Sequence, residues 1–149
     1  MKTIEVIPLI GVDDLRFGMK RKEVHEILGA SFRSFQKTPV ASHPTDAWLN
    51  GGLQVFYGGA EGSVEYLELS RDSDFDAMLF GHSVFVTEAP RLVALIEKHA
   101  PFDKSDPELG NAYVFPDLEL ALWRPVAEFP EGRFFTSVGI GTKGYYSTP

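Results

Sequence analysis

The sequence predicts an α+β fold: a mostly antiparallel sheet with two helices on one face, pseudo-duplicated as two α-β-β-β units in a single domain. Three observations predict it. A helix-patterned stretch, residues 20–28, stops at Gly29 and is followed by two strand-like runs, 52–57 and 63–70. A second helix-patterned stretch, 88–100, stops at Pro101 and is followed by runs at 117–123 and 133–140. The order recurs after roughly 65 residues, which sets units of about 13–75 and 84–146.

Residues 3–10 are β-branched and apolar and read as a first strand, with Pro8 suiting an edge position. Residues 13–19 lead into the first helix, where Val24, Ile27 and Leu28 fall at i, i+3 and i+4 and form one apolar stripe. Gly29 is the residue type that follows a helix end. No Ser, Thr, Asp or Asn stands at the start, so packing must hold this helix. Residues 31–37 alternate as a strand, 38–44 form a loop with two prolines, and 45–49 form a strand turned by Asn50-Gly51-Gly52.

Leu53, Val55 and Tyr57 share one face of the next strand, and the glycine-rich turn 58–62 returns the chain as 63–70. An acidic linker, 72–76, precedes an apolar run at 77–80, a turn at 81–83 and a short lead, 84–86, into the second helix. Thr87 is the expected N-cap and Pro90 fits the first turn. Ala89, Leu92, Val93, Ile96 and Ala100 repeat with helical spacing. After a polar loop at 103–110, strands are expected at 112–115, 118–124 and 134–140.

Composition narrows the function. A chain of 149 residues suits one domain with an adequate core. There is no cysteine, so disulfides and thiolate metal sites are excluded, in keeping with a reducing compartment. No apolar run approaches the roughly 18 residues that span a membrane. The amino terminus reads as a strand rather than a signal peptide, and a cytoplasmic location is expected. A net charge of −7 disfavours nucleic acid and anionic membranes, and it leaves open a basic protein partner beside its plain role in solubility.

The chemical motifs fail one by one. Gly139-Ile-Gly-Thr-Lys-Gly144 has dinucleotide-motif spacing, but no helical pattern follows it, so these glycines are expected to end or bulge a strand. Asp72-Ser-Asp-Phe-Asp76 opens like a calcium loop, yet Ala77 replaces the required glycine and Ser83 the bidentate glutamate. His25, His43, His82 and His99 include no pair at zinc-binding helical spacing. His99 is placed to act as a cation near the second helix's C-terminus. Glu65 and Glu68 should point to opposite faces of a regular strand and so cannot pair as acid and base. No serine sits in a nucleophile elbow. Neither a cofactor nor a metal nor an enzymatic activity is expected.

The stretch Leu15-Arg-Phe-Gly-Met-Lys-Arg-Lys-Glu-Val-His-Glu-Ile-Leu-Gly29 resembles the opening of the BamE (SmpA/OmlA) domain and of each half of the β-lactamase inhibitor protein. There a Gly and a Met precede a short helix ending in Leu-Gly, and antiparallel strands follow. The resemblance covers about fifteen residues, and the rest by element order alone. It implies a tandem αβ fold whose relatives bind proteins on the sheet surface, and it carries over no catalytic residue. The lipidated cysteine of BamE-type lipoproteins and the cysteines of the secreted inhibitors are absent, and the second unit lacks the Phe-Gly-Met phrase.

The expected function is a cytoplasmic protein-binding module of bacterial type, an immunity protein that neutralises a toxin by occlusion. The sheet's free face should carry the aromatic anchors, and nearby carboxylates should steer a basic partner. The candidate partner-binding residues are Trp48, Tyr57, Asp72, Asp74, Asp76 and Trp123. The alternative is a small-ligand protein or enzyme with a cleft between the sheet and loops 38–52 and 103–111, using His43 or His82. A monomer or a homodimer fits either reading.

Overall fold

Period-2 apolar runs form the strands, and their pairing sorts them into two layers. The computed structural model describes residues 2–71 and 74–146. The first set of strands is β1 (Lys2–Ile7), β2 (Gly11–Val12) and β3 (Leu15–Arg16), followed by helix α1 (Arg21–Leu28). Next come β4 (Arg33–Phe35), β5 (Thr45–Trp48), β6 (Leu53–Gly58) and β7 (Ser63–Ser70). Then follow β8 (Phe75–Leu79), β9 (His82–Ser83), α2 (Ala89–Glu97), β10 (Ala112–Phe115), β11 (Leu120–Trp123) and β12 (Ser137–Gly141).

The fold is α+β with mostly antiparallel strands. The strands after α1 form one meander, β4 to β7, and those after α2 form another, β10 to β12. They join where β12 pairs antiparallel with β7, Ile140 opposite Leu67 and Val138 opposite Leu69. The result is a seven-stranded sheet in the order β10-β11-β12-β7-β6-β5-β4. Its inner face buries Leu53, Val55, Leu67, Leu69, Leu122 and Ile140, each at most 4% exposed. Fully burying such side chains contributes about 1.5–3 kcal/mol apiece, and this core is what fixes the register.

The expected single layer is corrected to two. β1, β8 and their short neighbours form a separate five-stranded sheet, in the order β3-β2-β1-β8-β9. β1 and β8 run parallel, with Lys2 opposite Phe75 and Val6 opposite Leu79. Each alternates: Ile4, Val6, Phe75, Ala77 and Leu79 are buried, whereas Thr3 and Glu5 are exposed. The two strands can bury that stripe by pairing with each other and covering the larger sheet's inner face. Nothing local announces a parallel pair this far apart in sequence. β1 is therefore central rather than an edge. Pro8 lies beyond it in a turn, where Ile10 N–H donates to Ile7 O at 3.0 Å.

Both helices pack on the same core as the inner sheet face, and α2 buries Ala89, Leu92, Val93 and Ile96 in it. α1 buries Val24, partly buries Leu28 and leaves Ile27 exposed, contrary to the expected three-residue stripe. The expected lack of a cap is partly remedied by Glu23, whose carboxylate accepts the Lys20 N–H at 3.1 Å. Gly29 closes the helix by donating to His25 O at 2.8 Å. α2 begins one residue later than expected. Glu88, not Thr87, is its N-cap, and Ala89 N–H donates to Arg133 O at 2.9 Å. The helix ends at Glu97, and the His99 ring beyond it stacks on Phe80 at 3.8 Å. Among the described residues no helix is long and apolar enough to cross a membrane.

Candidate functional site on the outer sheet face

The face of the seven-stranded sheet turned away from the core is where side chains meet solvent. Register places three rows across it. One row runs Val114, Ala121, Gly139, Glu68, Gln54, Ala47 and Arg33. A second carries Tyr66, Phe56, Thr45 and Phe35. A third carries Ala112, Trp123 and Ser137. Aromatic rings of Phe35, Phe56, Tyr66 and Trp123 thus share a surface that the core does not use.

A β-bulge shapes the middle of this face. The register of β6 against β7 shifts between Phe56 and Tyr57, leaving Glu65 as an extra residue. The expectation that Glu65 and Glu68 lie on opposite faces is therefore overturned. Glu65 lays its carboxylate against Gly58, where a Cβ would stand 2.0 Å from its Oε2. Both glutamates act on Tyr145, whose hydroxyl is held above its ordinary pKa by burial first and by their charges second. Glu68 lies half-buried in the central row. Burial pushes its carboxyl up, and the Lys37 ammonium draws it part of the way back.

The chain covers the centre of the face with its own tyrosines. After β12 it turns through Thr142, and Tyr145 stacks on Tyr66 at 4.6 Å. Tyr66 and Tyr146 share a hydroxyl hydrogen bond, and Tyr146 N–H donates to a Glu119 carboxylate oxygen at 3.1 Å. Burial is the main reason the Tyr146 hydroxyl is pushed up to about 12. Gly139 makes this possible, because a Cβ there would lie 1.8 Å from the Tyr66 hydroxyl.

The tyrosine ridge divides the face into two open clefts. One, of about 500 Å³, is lined by Trp123, Tyr146, Glu68, Asp106 and Glu108 among others, with no cationic side chain in its lining among the described residues. The other, of about 570 Å³, lies between the sheet and residues 37–43. The single cleft expected between the sheet and both loops is instead two separate ones, Asp106 and Glu108 lining one and His43 the other. His82 lines neither.

The densest polar cluster is on the inner side and is structural. Asp46 is 0% exposed on β5, opposite Val55, because a charged residue here occupies a core position of the alternation. Its carboxylate accepts hydrogen bonds from Arg21 Nε at 2.8 Å, Arg21 NH2 at 2.9 Å, His25 Nε2 at 2.8 Å and the Tyr57 hydroxyl at 2.8 Å. Burial alone would raise the Asp46 carboxyl. The donors from Arg21, His25 and Tyr57 outweigh it and hold the group below the ordinary carboxylate range. The Tyr57 hydroxyl is pushed far up by burial and then by Asp46. Arg21 and His25 stand one turn apart on α1, so the cluster ties that helix to the sheet.

The sequence-derived candidates do not converge. Trp48 and Tyr57 are corrected from exposed anchors to core residues, 5% and 7% exposed, because both alternate onto the inner face. Trp48 donates to Gly29 O at 3.3 Å and packs beside His25 and Phe32, while Tyr57 serves Asp46. Asp72 lies outside the described residues. Asp74 is exposed in the turn before β8, and Asp76 on β8 accepts from the Ser83 hydroxyl at 2.7 Å, so both belong to the smaller sheet. Trp123 is on the outer face and 43% exposed. Among the described residues no three His, Cys, Asp or Glu gather to hold a metal ion.

Comparison with protein-family models, with curated proteins and with solved structures finds no match to this chain.

Proposed function

We propose that this protein is a cytoplasmic binding module of bacterial type that docks a basic protein partner on the outer face of its seven-stranded sheet. An immunity protein that neutralises a toxin by occlusion is the form of that role it fits best. One observation carries the reading: the open cleft in which exposed Trp123 stands with Glu68, Asp106 and Glu108 and, among the described residues, no cation. Aromatic residues in such a cleft supply desolvated anchors, and carboxylates draw in a basic partner and set its register. The net charge of −7 adds long-range attraction of the same sign. The likeness of residues 15–29 to the BamE domain and the inhibitor halves, whose relatives bind proteins on their sheets, points the same way. The steering role first given to the acidic linker passes to Asp106 and Glu108, which border the aromatic cleft.

A photo-crosslinking residue placed at position 121 or 123 tests this in the cells that make the protein. Both positions are on the outer face, and Glu5 of the smaller sheet serves as the control. One basic protein should be captured from 121 and 123 and not from 5, and less of it as salt rises. Replacing Asp106 and Glu108 together with Asn and Gln should slow its association and flatten the salt dependence. Capture from all three positions alike, or from position 5 alone, would remove the outer face from the role.

A further inference from the structure

We propose that the cleft between the outer sheet face and residues 37–43 is a binding site for a small zwitterion with an apolar or aromatic body. An α-amino acid is the simplest such molecule, its carboxylate on Lys37 and its ammonium on Glu65. The site is separate from the Trp123 cleft and does not rest on the partner-binding reading.

Size and shape come first. A volume of about 570 Å³ falls within the range of small-molecule sites, roughly 300–1,000 Å³. The floor is formed by Thr45 and Phe56, and Tyr145 stands at one side. His43 fastens the loop that makes the opposite wall, with its Nε2 2.7 Å from Gly59 O. The cleft is therefore bounded by chain that is tied down rather than by a loose loop tip.

The charges give the ligand class. Lys37 places its Nζ 4.7 Å from the centre of the Phe56 ring, over the floor. Glu65 enters because of the bulge, and it reaches the strand surface because residue 58 is glycine. Both line the same cleft, yet no ion pair joins them, and neither carboxylate nor ammonium has a salt-bridge partner within 4.0 Å among the described residues. Lys37 acts on Glu68 only through space, opposing the larger upward push of burial on that carboxyl, and among the described residues no ion pair joins the two. A simple anion would meet Lys37 but be repelled by Glu65, and a simple cation would meet the reverse. A molecule carrying both charges satisfies both with charge-assisted hydrogen bonds, while its body lies beside the aromatic lining of Phe56 and Tyr145.

Amide NMR titration of the whole chain tests the assignment, with L-phenylalanine as probe. Phenethylamine, which lacks the carboxylate, and 3-phenylpropanoate, which lacks the ammonium, are the comparisons. L-phenylalanine should give saturating shifts at about millimolar concentration, centred on Phe56, Gly58, Gly59 and Glu65. Each single-charge analogue should bind at least about tenfold more weakly. Lys37→Met should abolish the advantage over phenethylamine, and Glu65→Gln the advantage over 3-phenylpropanoate, with the remaining spectrum unchanged in both. Absence of saturable shifts, equal affinity for all three probes, or discrimination that survives both substitutions would overturn the proposal. Those results would leave crosslinking at position 123 untouched, so the two readings fail separately.

Discussion

Replacing Asp46 with Asn probes the bond between α1 and the sheet most sharply. The carboxylate is fully buried and takes four hydrogen bonds, three on one oxygen and one on the other. An asparagine oxygen on the crowded side keeps three acceptor contacts but loses their charge. Its amide then faces the Arg21 NH2 group, donor against donor. Each bond to a charged group contributes about 1.5–3 kcal/mol against about 0.5–1.5 for a neutral one. Arg21 is 40% exposed and can turn to water, which discounts its share. The expected loss is about 2–4 kcal/mol, or roughly 5–15 °C in Tm for a chain of this size. Urea unfolding at neutral pH should show a lower midpoint with an unchanged m-value. The acid limb gives a second reading. Because the folded-state Asp46 pKa lies below its ordinary 3.8, its stabilisation is fully present above that value. It is lost as pH falls through the lower folded value, and the Asn variant should lack this share of the acid-induced drop. A loss smaller than about 0.5 kcal/mol would refute the view that this cluster anchors the helix.

Other substitutions separate steric from surface effects. Gly139→Ala should destabilise by about 1–3 kcal/mol in urea and expose Tyr66 to solvent, because the added methyl falls on the Tyr66 hydroxyl. Phe135→Ala empties a fully buried site and should cost about 3–5 kcal/mol in the same assay. Trp123→Ala should change stability by no more than about 0.5 kcal/mol, since the ring is partly exposed and outside the core, while reducing partner capture.

What could be read from the sequence was whatever repeats at short range. The stripes of 24/27/28 and 89/92/93/96 located both helices, and the alternation at 53/55/57 located the inner face of β6. The second layer was not legible, because β1 and β8 reveal nothing about each other until the chain is folded. The same alternation, read fully, would have sent Tyr57 inward with Val55. Trp48 and Asp46 share one side of β5, and only its register against β6, Trp48 opposite Leu53 and Asp46 opposite Val55, turns that side to the core. The bulge at Glu65 carries no local signature, and it alone reverses the predicted separation of Glu65 from Glu68. The tyrosine ridge depends on Tyr145 and Tyr146 folding back over Gly139, a contact fixed by tertiary packing.

Hydroxyl-radical footprinting of the isolated protein at low micromolar concentration asks whether the outer face is free. The two tryptophans report it directly, one on each side of the same sheet. Trp123 should oxidise much faster than Trp48, at a rate independent of protein concentration. Equal protection of both rings, or protection of Trp123 that grows with concentration, would mean the face is already covered and unavailable to a partner.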